Sequence, residues 1–202
     1  MTKDGMTGLL VRNARERGAD AVEVIPAVKV PVAPELRGYC RTCPAHGAGA
    51  SCPPHVMDVA AFARSLDRYD HAVIFRLDVA LEILQTDAHL VYSERIYRIA
   101  SVLSREALRH GAGMVQALGA GSCRRIFCAA ESGCPVVEKT GPCRRPGLAA
   151  PSISAMGIHV FRLAEYLGWP MRKITAPDAA SGISSAPEEP AEKGMLVGMV
   201  LV

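Results

Sequence analysis

Seven cysteines lie in two tight groups, and that placement constrains the fold more than any other feature of the chain. Cys40, Cys43 and Cys52 sit in YCRTCPAHGAGASCPP with the spacing C-x2-C-x8-C. Cys123, Cys128, Cys134 and Cys143 sit in GAGSCRRIFCAAESGCPVVEKTGPCRRP with the spacing C-x4-C-x5-C-x8-C. Thiols used only for packing are scattered singly through apolar segments. Clustered thiols on Gly- and Pro-rich stretches are arranged to hold something, and soft sulfur donors select zinc or iron–sulfur clusters over magnesium or calcium.

A chain of 202 residues fits one sizeable domain, or one domain with an appended lobe. Half its residues are hydrophobic, enough for a core without disulfides. A net charge of +3 and an aromatic content of 5% give no footing for nucleic-acid binding. The first twenty residues turn charged at Arg12 and show no signal-peptide run, and no stretch approaches the roughly 18 apolar residues of a membrane span. The expectation is a cytoplasmic protein without a membrane segment. In that reducing compartment, thiols serve metal or redox chemistry more often than disulfides.

Alternating patterns predict an α/β or α+β fold, a single layered domain of short strands and helices with the two cysteine loops at one edge. Residues 9–18 read as an amphipathic helix ending at Gly18, and the valine-rich stretch after it as a strand broken by Pro26. A helix follows the first loop with Asp58 early in it; 71–81 reads as a buried strand and 87–111 as the longest helix. A short strand leads into the second loop. Residues 152–169 read as one further helix with Ser152 as its N-cap. The expected organisation is a metal-binding domain over 1–174, a Pro- and Ser-rich loop or linker over 175–194, and a terminal strand, 195–202, returning to the same sheet.

The spacings differ in what they suit. Structural zinc sites build from paired close knuckles, and only Cys40 and Cys43 form such a pair. The wider spacings of the second group suit a loop wrapped around a larger object, a cluster rather than an ion. Cys43-Pro44, Cys52-Pro53-Pro54 and Cys134-Pro135 resemble the Cys-Pro ending of bacterial ferredoxin runs. Gly47, Gly49, Gly121 and Gly133 leave room for backbone amides to approach sulfur, a contact that raises a cluster's potential. Arg124, Arg125, Arg144 and Arg145 flank the second group, where they either stabilise an anionic centre or remain solvated. Four cysteines saturate one [4Fe-4S] cluster; three leave a position for His46, His55, water or a substrate. The metal content expected is one or two [4Fe-4S] clusters, with zinc as the alternative.

CRTCPAHGAGASCPP resembles the first signature of DUF2284, a family of predicted metal-binding proteins, whose members carry C-x2-C-P-x-Y/H-G and end in S-C-P-P. The later GAGSCRR, CRRP and PSISAMGIHVF resemble its second signature, and the resemblance spans residues 40–161. Cys40, Cys43, Cys52, Cys123 and Cys143 match directly. Two departures stand out: Ile126 occupies the place of a family cysteine, and Ser154 and His159 replace usual acidic residues. The resemblance implies metal binding and supplies no reaction.

No G-x-S-x-G, Walker A or G-x-G-x-x-G motif occurs, Met195 and Met199 read as core, and Glu94 and Glu106 read as a solvated helix face. The leading expectation is an iron–sulfur protein passing electrons to a redox partner protein or a small-molecule cofactor. A zinc-stabilised interaction module and an enzyme acting at an open three-thiolate centre are the alternatives. Whether the chain is an enzyme is left open by the sequence.

Overall fold

The ten residues from His71 to Ala80 alternate between two separate apolar clusters, so this strand must carry a layer on each face. In the computed structural model, which describes residues 3–170 and 193–202, it lies inside a four-stranded sheet. The elements in chain order are α1 (Lys3–Glu16), β1 (Ala21–Pro26), α2 (Val59–Ser65), β2 (His71–Ala80), α3 (Leu81–Leu84), α4 (His89–Arg109), β3 (Gln116–Leu118), α5 (Cys123–Phe127), α6 (Pro135–Glu138), α7 (Val160–Tyr166) and β4 (Lys193–Leu201). The strand order is β1-β2-β4-β3, and every neighbouring pair is antiparallel. The mixed architecture expected from the patterning is therefore present, in its α+β form.

One face of the sheet presents Val22, Val73, Phe75, Leu77, Val79 and Val200 to α1 and α4, which answer with Leu10, Ala14, Ile96, Ile99 and Leu103. Their spacing on each helix follows the 3.6-residue period. Gly198 lies opposite Phe75 in the register, and a Cβ there would stand 2.5 Å from the Phe75 ring and 2.7 Å from Ile96. The bare backbone at that point lets the ring lie flat under α4. The other face presents Ala72, Ile74, Leu118, Val197, Met199 and Leu201 to Phe62, Leu66, Ile153, Met156, Ile158 and Leu163. Arg76 also emerges on this side, paired with Asp78 at 3.0 Å and with its guanidinium 5.0 Å from the Trp169 ring centroid.

Most helix boundaries follow local chemistry. Asp58 caps α2 by accepting from the Ala60 and Ala61 amides at 2.9 and 3.2 Å. The stretch expected as one helix over 152–169 is instead two pieces. Ser152, expected as the N-cap, lies one residue before Ile153, the N-cap of a short 3-10 turn, Ser154–Met156, and its hydroxyl accepts from the Ala155 amide at 3.1 Å. Gly157 then turns left-handed at φ 71°, and α7 starts afresh with the His159 ring as its cap. A side chain at Gly157 would run into Val59 at 2.7 Å, so the break is also a close approach to α2. The Pro- and Ser-rich stretch read as a loop lies, from 175 to 192, outside the described residues. No helix among the described residues is long and apolar enough to cross a membrane.

Candidate metal centre

The first cysteine loop runs from a 3-10 segment, Pro34–Thr42, into a chain of tight turns. The Cys43 amide donates to the Cys40 carbonyl at 3.2 Å, His46 to Cys43 at 2.9 Å, and Cys52 to Gly49 at 3.0 Å. The Gly47 amide closes the loop on the Pro53 carbonyl at 2.8 Å. These turns place Cys40, Cys43 and Cys52 along the wall of a cleft of about 430 Å³. His46 lines the same cleft, while the His55 Nε2 is engaged with the Gly47 carbonyl at 3.1 Å. Of the two histidines, His46 is therefore the one beside the three thiols.

The second loop starts at Ser122, which caps α5, and winds through α6 back past Cys143. All four of its cysteines line one narrow recess, with Gly49 and Ala50 of the first loop as part of its wall. Arg124, Arg144 and Arg145 line the recess too, whereas Arg125 turns away to pair with Asp87 at 2.7 Å. Arg124 and Arg144 also brace the loop, donating to the carbonyls of Glu131 and Gly133. The Nη1 of Arg124 is buried and has no hydrogen-bond partner.

A reciprocal pair of contacts joins the loops. The Ser51 hydroxyl donates to the Cys123 sulfur at 2.6 Å, and the Ser122 hydroxyl lies 3.2 Å from the Cys52 sulfur. Each loop thus supplies the serine that touches the other loop's buried cysteine. A Cβ at Gly49 would stand 3.1 Å from the Arg124 Cβ and 3.7 Å from the Cys123 sulfur, so the first loop lies directly on the second. The long helix α4 supports this junction. The Tyr97 hydroxyl donates to the Gly121 carbonyl at 2.7 Å, and its ring meets Phe127 edge-on at 5.5 Å. Gly119 has to be bare because a Cβ there would stand 2.3 Å from the Tyr97 ring.

The protein environment tunes the thiols unequally. Burial pushes the Cys40 thiol up, with the neighbouring Cys43 adding to it. Burial also raises Cys52, against the Ser122 contact, and raises Cys123, against the hydroxyl and amide of Ser51. Cys134 goes the other way: its partial burial is outweighed by the amides of Val137, Ala50 and Val136 directed at its sulfur. Tyr97 is pushed well up by burial and stays a neutral hydrogen-bond donor.

No disulfide joins any of the seven cysteines. Among the described residues, no three His, Cys, Asp or Glu side chains converge on a position for a single ion. A tetrahedral zinc, with Zn–S of about 2.3 Å, would draw its sulfurs to within about 4 Å of one another. The recess brings together four thiols, three guanidiniums and an unpartnered buried Nη1, with backbone amides directed at the Cys134 sulfur.

Spacing alone placed the seven cysteines, and the structure gathers them into two neighbouring sets. It did not single out Ser51, Ser122, Tyr97 or His159 as part of the site. The repeated Ser-Cys dipeptide, at 51–52 and again at 122–123, was the signal available for the serines. Tyr97 lies in a helical pattern that gives no hint of where its hydroxyl points.

Fold and cysteine placement together define a small α+β protein that presents seven thiols on two facing loops. The sequence profile of DUF2284, described as predicted metal-binding protein, matches residues 23–202, and the chain belongs to that family. No curated protein and no solved structure matches the chain.

Proposed function

We propose that this member of a metal-binding family is an iron–sulfur protein with two adjoining centres, acting in electron transfer. Cys123, Cys128, Cys134 and Cys143 would hold a [4Fe-4S] cluster, and Cys40, Cys43 and Cys52 a second centre that keeps one position open to the cleft. Such clusters supply reversible one-electron chemistry at potentials set by charge, hydrogen bonds to sulfur and solvent exposure. The observation that carries the reading is the sorting of the thiols: four line one recess and three line one cleft, with Cys52 and Cys123 at the shared wall.

The chain's own residues have definable parts in this reading. Arg124, Arg144 and Arg145 offset negative charge at the four-thiolate recess. Ser51 and the Ala50 amide donate to its sulfurs from the opposite loop, favouring added negative charge there. At the cleft, Leu36, Ala45, Ala155, Ile158 and Val160 supply an apolar wall beside the three thiols, of which Cys52 is buried and Cys43 exposed.

The test is the iron, zinc and acid-labile sulfide content of anaerobically purified protein, with its visible spectrum. About eight iron and eight sulfide per chain would match two cubanes, and about four of each would leave the three-cysteine loop to another group. Zinc without sulfide would overturn the redox reading and favour a zinc-stabilised interaction module.

A further inference from the structure

Away from both cysteine loops, the exposed side of α4 forms an open groove of about 610 Å³ together with the end of α1 and the turn at residues 146–148. Arg17, Arg95, Arg98 and Arg105 line it. Among the described residues only Arg98 of these four has a carboxylate partner, Glu94 at 2.5 Å. Arg17 is held by the Asn13 side-chain oxygen at 3.1 Å. The helix repeat brings Arg98, Ser101, Val102 and Arg105 onto one face, with Arg95 one turn before. Arg95 is exposed and lies across the end of α1, where a Cβ on Gly18 would be 2.6 Å from its Nη2.

A second feature points to a ligand. Ser101 is 4% exposed and lines the groove, yet its hydroxyl has no hydrogen-bond partner. A buried hydroxyl in a helix ordinarily bonds back to a carbonyl one turn earlier, as Ser104 does to Ala100 at 2.8 Å. An orphaned donor costs stability unless something else accepts from it. Beside it, Ile99, Val102, Pro146 and Leu148 give the groove an apolar strip.

We propose that this groove binds the polyphosphate of a small molecule, a nucleoside diphosphate or an inorganic polyphosphate, through Arg95, Arg98 and Arg105 with the Ser101 hydroxyl as a further donor. Guanidinium forks match phosphate oxygens two at a time and remain charged at any physiological pH. The arginines run from 95 to 105, about 15 Å of helix at 1.5 Å per residue, a length that suits linked phosphates better than a single one. The apolar strip gives a nucleoside a surface to lie on, so the two sources are separable. The site does not depend on which metal the cysteines hold.

The test is calorimetric titration of the purified full-length protein with inorganic pyrophosphate and, separately, with ADP, at low and moderate salt. Binding of either probe, weakened by salt, is the expected result. ADP binding more tightly than pyrophosphate would identify a nucleotide, and equal affinities an inorganic polyphosphate. Arg95→Ala with Arg105→Ala removes two unpaired guanidiniums and should weaken binding at least about tenfold. Ser101→Ala, which keeps the helix and removes only the hydroxyl, should weaken it by about fivefold. Circular dichroism and metal content of both variants should equal the parent's. No binding of either probe, or affinities unchanged in the double variant, would overturn the proposal.

Discussion

The two cysteine groups face the rest of the protein in opposite ways. The four-cysteine recess is narrow, about 30 Å³ of space lined by arginines and by the neighbouring loop. The three-cysteine cleft is open and far larger, about 430 Å³, with an apolar wall and His46, His159, Ser152 and Ser154 as its polar points. The wider cleft is where a second molecule can approach the thiols of the first loop. One fold therefore carries both arrangements side by side, joined through two serine–cysteine contacts of 2.6 and 3.2 Å.

Removing cysteines from one side only should separate the two groups most sharply. On the proposed two-cluster reading, Cys134→Ser should abolish the four-cysteine centre, removing about half the iron and sulfide while the signal of the three-cysteine centre persists. Cys43→Ser should do the converse. Metal analysis and electron paramagnetic resonance on both variants read this directly. If either single change empties both centres equally, the two are one site and the comparison fails.

Next in size are the supports from α4. A methyl group at Gly119 cannot fit against the Tyr97 ring, so Gly119→Ala should destabilise by about 1–3 kcal/mol. Tyr97→Phe leaves the Gly121 carbonyl without its donor and should cost about 1–2 kcal/mol. For a chain of this size, each kcal/mol corresponds to a fall in Tm of about 2–4 °C in thermal unfolding. Both changes should loosen the 119–123 stretch and disturb the closed centre more than the open one, readable as faster loss of half the iron to a chelator. Loss of both halves at one rate would show that α4 supports the two loops equally.

The sheet and its two helical layers were legible because burial imposes periods. The apolar run in 71–80 and the helical stripe in 89–109 survive in the sequence since the strand meets an apolar layer on each face and the helix meets one along a single side. The break at Gly157 was not legible. Residues 152–169 keep a helical pattern overall, and only the contact of Gly157 with Val59, far away in the chain, forces the turn. The site divides likewise. The cysteines announce themselves by number and spacing, but the crossing of the loops depends on contacts between residues about seventy positions apart. Local pattern cannot encode which serine reaches which sulfur. For the same reason spacing left His46 and His55 equivalent, and only the Gly47 carbonyl, by engaging His55, separates them.

The crossed serines give a finer test. Ser51→Ala removes a donor from Cys123, so it should lower the potential of the four-thiolate centre although Ser51 belongs to the other loop. A hydrogen bond to a charged sulfur worth about 1.4 kcal/mol corresponds to about 59 mV for a one-electron couple. Ser122→Ala should act on the three-thiolate centre in the same sense, and by less, because the Cys52 contact is longer. Potentiometric titration that finds each variant altering its own loop's centre instead would show that the contacts are structural only.

The smallest effect concerns the flank of the open loop. Asp58 caps α2, and its carboxyl is held below the ordinary range by the amides of Ala61 and Ala60, with Arg37 adding a lesser pull. Arg37 itself donates to the Met57 carbonyl at 2.8 Å, tying the chain after Pro54 to the 3-10 segment that carries Cys40. A folded-state pKa below the unfolded value means that the cap's contribution is complete above the ordinary carboxylate pKa of about 3.9. It is then lost as pH falls through the lower folded value. Asp58→Asn keeps a capping oxygen without the charge, so it should flatten the acid limb of the stability curve slightly and leave neutral-pH stability nearly unchanged. Asp58→Ala should lower Tm at neutral pH as well. Because α2 also meets Gly157, the loosening should spread to the cleft side and spare the four-cysteine recess. Hydrogen exchange comparing residues 54–62 with residues 123–143 would measure that difference, and equal acceleration in both stretches would contradict it.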